Sequence, residues 1–190
     1  MRRFLLIIFT MILFVCCTSC KGSVQETTSA FQKEESPLTI DRILALEDRS
    51  GVLIALTDYL GEKCRYGDHI SALSEAERVV YVTQWLEMEV NNGGFSQYFF
   101  NSAGNFANDL VSSYEKIGAV NTAEICKEAL SVFEGKVPED RTQRHDAMLS
   151  MDEDVLDAIF QRCDDAFLAY NEDLESLTYA YVLEHREQFT

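Results

Sequence analysis

Proline is nearly missing from this 190-residue chain, which has only Pro37 and Pro138. No segment alternates apolar and polar residues, so a half-buried antiparallel sheet is excluded. Cations are scarce too: 16 Lys and Arg face 32 Asp and Glu, a formal net charge of -16. Nucleic-acid affinity comes mainly from cations that neutralise phosphates, so nucleic acid is excluded as a direct partner. The three histidines, His69, His145 and His185, are far apart and form no HExxH or other ligand spacing. No metal site and no cofactor are expected. A GxSxG elbow, a P-loop and a GxGxxG are all absent, and Gly93-Gly94 lacks the lysine and preceding strand of a phosphate loop. No catalytic residue stands out from the background of acids, and an enzyme is not expected.

Cysteine usage is equally restrictive. Of the six cysteines, Cys16, Cys17 and Cys20 lie in or at the end of an N-terminal leader, leaving Cys64, Cys126 and Cys163. None sits in a CxxC spacing, so neither zinc nor a disulfide framework is indicated. Cys126 and Cys163 fall on apolar helical faces and are expected in the core. One disulfide among the three stays open.

The leader carries the first positive signal. Arg2 and Arg3 precede a mainly apolar run over residues 4–15. That run is shorter than the roughly 20 residues a membrane-spanning helix needs, and the pattern is that of a secretory signal. Cys17-Thr18-Ser19-Cys20 reads as a lipobox, with lipidation expected on Cys20; Cys16 and Cys17 are weaker alternatives. The expected organisation is a lipoprotein signal peptide over 1–19, a flexible tether over 20–38 and a helical domain over 39–190. The tether is polar, with almost no apolar content to offset chain entropy. Stretched at about 3.3 Å per residue it reaches ~60 Å. The expected location is the bacterial cell envelope, lipid-anchored, facing the periplasm or the cell surface.

Within the domain, apolar residues recur at three- and four-residue spacing. The expected fold is all-α, a single compact domain of about six to eight helices. Thr39 caps a helix through about residue 48, and a second covers 51–60. Ser74-Glu75-Ala76-Glu77 is a capping box, opening a helix that breaks at Asn91-Asn92-Gly93-Gly94. A short piece over 95–101 follows, then helices over 106–117, from a cap at Asn121 to Gly135, over 151–170 and up to about 187. Residues 137–144 read as a loop.

Two helices carry candidate sites. On the first, Val79, Val82, Leu86 and Val90 share a stripe with Glu89 on its edge. A carboxylate there needs donors; the backbone N–H groups after Asn92 and the Gln97 amide are candidates. Glu89 reads first as a staple for the Gly-Gly turn and second as a binding or acid–base carboxylate in a cleft beside Gln97 and Tyr98. On 151–170 the core stripe is Val155, Leu156, Ile159, Phe160, Cys163, Phe167 and Tyr170. Asp154, Asp157, Asp164 and Asp165 group on the far side as an acidic partner-binding face. From residue 139 onward 14 Asp/Glu face four Arg, so the natural complement is a basic protein surface.

The run WLEMEVNNGGFSQYFFN resembles a helical family named after the C-terminal part of a bacterial DNA-mimic protein. The likeness covers roughly residue 71 to the C-terminus. Its signature here is Trp85, Glu89, Asn92, Gly93, Gly94, Phe95, Gln97, Tyr98 and Asn101, and the closing Tyr181-Val182-Leu183-Glu184-His185 also matches. The resemblance implies an all-helical, acidic, non-enzymatic protein and a homodimer. Its activity would be to occupy the DNA-binding surface of a basic protein with carboxylates in place of phosphates. Taken with the leader, the first expectation is a membrane-tethered acidic protein that recognises a protein partner in the envelope. DNA mimicry proper and immunity-type inhibition of a toxin are the alternatives.

Overall fold

The computed structural model describes residues 38–190; the expected signal peptide, Cys20 and the tether up to residue 37 lie outside the described residues. Among the described residues there are eight α-helices and no strand. They are α1 (Ile40–Leu44), α2 (Arg49–Lys63), α3 (Glu75–Phe100), α4 (Leu110–Lys116), α5 (Val120–Leu130), α6 (Arg141–Leu149), α7 (Glu153–Leu168) and α8 (Leu174–Glu184). The expected all-α fold is what forms. No helix among the described residues is long and apolar enough to cross a membrane.

The axis of the fold is α3. Val79, Val80, Tyr81, Val82 and Thr83 are consecutive and all buried. Five successive positions cover every angle around a helix, so α3 must be enclosed rather than lie on a surface. Helices α2, α4, α6, α7 and α8 all pack against it. The capping box holds its start. Ser74 Oγ accepts the Glu77 N–H at 3.1 Å, and Glu77 Oε2 accepts the Ser74 N–H at 2.9 Å. Glu77 is fully buried and needs more than that. Lys63 Nζ donates to it at 2.7 and 2.9 Å, and the Thr190 N–H at 3.1 Å. The cap therefore also ties the end of α2 and Thr190 to α3.

Of the aromatic run after the break, Phe95, Tyr98 and Phe99 are buried and Phe100 is exposed. The Phe99 ring lies 5.4 Å from Phe160 of α7 and 5.1 Å from Phe133 after α5, while Phe95 meets Phe167 edge-on at 6.0 Å. Such pairs contribute about 0.5–1.5 kcal/mol each beyond area burial.

Several helix edges differ from the expected ones, most of the new starts being set by a side-chain cap. Asp48 does not extend α1; its carboxylate accepts the Gly51 N–H at 2.8 Å and starts α2. Asn121 is not a cap but lies inside α5. The Asn121 and Thr122 N–H groups donate to Glu172 at 3.0 and 2.8 Å, a cap supplied from the segment before α8. That helix stops at Leu130, well before Gly135. Residues 141–144 belong to α6, because Asp140 accepts the Gln143 N–H at 2.9 Å. The stretch 106–117 is the end of a 3-10 segment (Ser102–Asp109) followed by α4, with Gly118 at φ +84° just beyond it. On α7, Val155 is 58% exposed, and Tyr170 lies past the end of the helix facing outward, so the core stripe is shorter than expected.

Candidate protein-binding surface

The break in α3 is made by Gly94, with φ +77° and ψ -177°, while Gly93 is extended. The Gly94 conformation is one that essentially only glycine occupies. A Cβ there would also collide with the Asp164 carboxylate. The restarted helix needs an N-cap, and α7 supplies it: Asp164 Oδ1 accepts the Phe95 N–H at 2.7 Å. Burial raises the Asp164 carboxyl above its ordinary value, and the Phe95 bond opposes that rise.

The expected donors to Glu89 are half right. Gln97 Nε2 donates to Glu89 Oε2 at 2.7 Å, but the second donor is Asn101 Nδ2 at 2.9 Å, not a backbone N–H after Asn92. Glu89 lies before the break and both amides after it, so the three side chains lace the two halves of α3 together. Among the remaining signature residues Phe95 and Tyr98 are buried, Trp85 is half-buried against Tyr81, and Asn92 is exposed. Only Glu89, Gln97 and Asn101 share hydrogen bonds; the others contribute shape.

The acidic residues sort into two uses. Asp48, Asp140, Asp152 and Asp173 are N-cap side chains, Glu172 caps α5, and Asp164 caps the second half of α3. Negative charge at a helix N-terminus meets the positive end of the helix dipole, so this part of the net charge is structural. Asp164 accordingly leaves the expected acidic face. Asp154, Asp157 and Asp165 remain exposed on α7. Asp154 and Asp157 have no ion-pair partner among the described residues. Asp165 accepts only the Gln161 amide, at 2.9 Å.

A second acidic feature was not legible in sequence. Between α2, α3 and α8 lies an open groove of about 270 Å³. Ile54, Met88 and Leu53 form its apolar wall, and Glu87 and Glu175 are its carboxylates. Ile54 is 65% exposed and Met88 44%. Burial raises the Glu87 carboxyl above its ordinary value, with the Glu175 charge adding to it. Hydrogen bonds from Tyr170 Oη at 3.1 Å and Gln84 Nε2 at 3.3 Å oppose the rise.

Among the described residues neither the histidines nor the thiols build a centre. His69, His145 and His185 sit respectively beside Arg65, Phe100 and Tyr181. Cys64, Cys126 and Cys163 are free and buried, and burial, with the nearby Glu128, raises the Cys163 thiol to about 11. Among the described residues no group of three His, Cys, Asp or Glu could hold a metal ion.

Arg144 had no sequence signal at all. It is fully buried and faces carbonyl oxygens instead of a carboxylate. Its Nε donates to Phe99 O at 2.6 Å and its Nη2 to Asn101 O at 2.8 Å. Nη1 donates to Pro138 O at 2.8 Å and Glu139 O at 3.1 Å, and Nη2 to Asn105 Oδ1 at 3.0 Å. A cation therefore closes the C-terminal end of α3, where the last carbonyls are unsatisfied.

The model of a family described as DMP19-like protein matches residues 71–185. That span runs from just before the capping box to the end of α8 and contains the break in α3, α7 and most of the groove. No curated protein and no solved structure matches the chain.

Proposed function

The chain belongs to the DMP19-like family, a family of DNA-mimic proteins, and from that premise we propose that it is a non-enzymatic acidic protein that occupies the basic surface of a protein partner. The supporting observation is that Asp154 and Asp157 stand exposed on α7 without an ion-pair partner among the described residues, beside exposed Asp165. Carboxylates that cap helices or pair with Lys and Arg are already committed. These three are not, and exposed charge of one sign favours association with the opposite sign.

In this reading the leader and Cys20 hold the domain at the envelope by a lipid, and the partner is a basic protein met there. Inhibition of a basic toxin is the form that fits both features. Two experiments test the two halves. Radioactive palmitate should label wild type and not a Cys20→Ala variant; absence of label with cytoplasmic fractionation removes the tether. Affinity capture at about 50 and about 300 mM salt should show a partner lost at the higher concentration, since surface charges are screened within about 10 Å at 0.1 M. Replacing Asp154, Asp157 and Asp165 by Asn should weaken capture; capture that ignores both salt and these changes contradicts the reading.

A further inference from the structure

The groove between α2, α3 and α8 combines features that the folded chain does not itself use. Its carboxylates, Glu87 and Glu175, come from different helices, and the Glu175 charge adds to the cost of ionising Glu87, yet among the described residues no Lys or Arg lines it. The nearby Arg49 is turned elsewhere, with Nη1 on Ser176 Oγ at 2.7 Å and its guanidinium 5.8 Å from the Tyr179 ring. Glu87 receives Tyr170 Oη and Gln84 Nε2, both neutral donors. Glu175 receives the Ser50 hydroxyl. Both carboxylates are thus held in place without being neutralised.

The apolar wall sets the shape of what would neutralise them. Ile54 and Met88 are exposed at the mouth, where a long apolar stem can pack while its charged end reaches inward. Lysine and arginine have that construction, an aliphatic stem with a cationic head. A volume of about 270 Å³ falls just under the range of about 300–1,000 Å³ that holds drug-sized ligands. It suits one side chain better than a whole small molecule.

We propose that this groove seats a single protruding lysine or arginine of the basic protein partner, its stem on Ile54 and Met88 and its head between Glu87 and Glu175. This inference rests on the protein-binding reading above and adds the residue-level anchor. The exposed acids of α7 then steer the approach, and the groove fixes the register. Exposed charges raise association rates more than they raise affinity, whereas a desolvated anchor in a pocket carries binding energy.

The test uses the full chain, methyl-labelled on Ile and Met, and the peptide acetyl-Ala-Ala-Arg-Ala-Ala-amide. The control replaces arginine by citrulline, which has the same shape without the charge. The Ile54 and Met88 methyl signals should shift saturably with the arginine peptide, and at least about tenfold more weakly with citrulline. Ile54→Arg, a change at an exposed position, should abolish the shifts while leaving the melting temperature within a few degrees of wild type. Glu87→Gln should weaken them at least about fivefold. Changing Asp154, Asp157 and Asp165 to Asn should leave the saturation point unchanged.

Unmoved Ile54 and Met88 signals, or equal shifts with citrulline, overturn the anchor. If saturable shifts appear only on α7, the anchor fails while the acidic protein-binding reading stands. If the groove binds arginine but partner capture ignores salt and the α7 changes, the reading fails while the groove remains a cation site.

Discussion

Asp164 Oδ1 accepts the Phe95 N–H at 2.7 Å, so a side chain of α7 caps the second half of α3. Replacing a capping Asp by Ala costs about 1 kcal/mol, and Asn is an equally good cap. Asp164→Ala should therefore lower stability by about that amount in urea unfolding, and Asp164→Asn by much less. Equal losses would mean that the charge, and not the cap, is what α7 contributes.

The two glycines of the break should respond differently. Gly94→Ala forces a side chain into a conformation that costs of order 1–3 kcal/mol, and places its Cβ against Asp164. Gly93 is extended, and the atoms nearest its added Cβ are those of the Gln97 side-chain amide and stem. Gly93→Ala should cost less, chiefly by displacing Gln97 from Glu89. Thermal unfolding of the pair checks this ordering; Gly93→Ala as the more damaging change would contradict it.

Arg144→Met should be the most destabilising single change in the domain. It leaves the carbonyls of Phe99 and Asn101 without their buried donor, at about 1–3 kcal/mol for each unsatisfied group. Arg144→Lys keeps the charge but not five N–H donors, and should recover only part of the loss. Recovery to wild-type stability by lysine would show that charge alone matters there.

Glu87 and Glu172 should shift stability with pH in opposite directions. Glu87 is raised above its ordinary 4.5 by burial first, so its contribution is present below 4.5 and is lost as pH rises through the folded value. For Glu172 burial is also the largest single influence, but the hydrogen bonds from Asn121 and Thr122 together outweigh it and hold the carboxyl below 4.5. Its contribution is present above 4.5 and is lost as pH falls. Glu87→Gln should thus raise the melting temperature at pH 7, with the gain shrinking towards pH ~3.5. Glu172→Gln should lower the unfolding free energy at pH 7 by only about 0.5–1 kcal/mol, because solvent screens the site, and the deficit should shrink in acid. Parallel pH curves for the two variants would refute the assignment.

What could be read from sequence was local. The capping box at Ser74, the Gly-Gly break and the Glu89–Gln97 pair all lie within a few turns of one another. Period and cap chemistry therefore expose them. The bonds of Arg144 to Phe99, Asn101 and Asn105, the Glu172 cap of α5 and Asp164 on Phe95 act across 39 to 69 residues, and no spacing rule reaches that far. The groove was hidden for the same reason: Ile54, Glu87 and Glu175 meet only when three helices pack. Composition misled in one respect as well. It presents 32 acids as one surface property, whereas six of them cap helix starts and six pair with Lys or Arg among the described residues. Asp164 went astray on this count, since a helical wheel places a residue but does not show which neighbour arrives beside it.

Competition between the full chain and duplex DNA for the captured partner tests mimicry most directly. If carboxylates stand in for phosphates, the chain and the duplex exclude each other. The affinity of the chain then falls at least about tenfold between ~50 and ~200 mM salt. A ternary complex of partner, duplex and chain, or an affinity indifferent to salt, would contradict it.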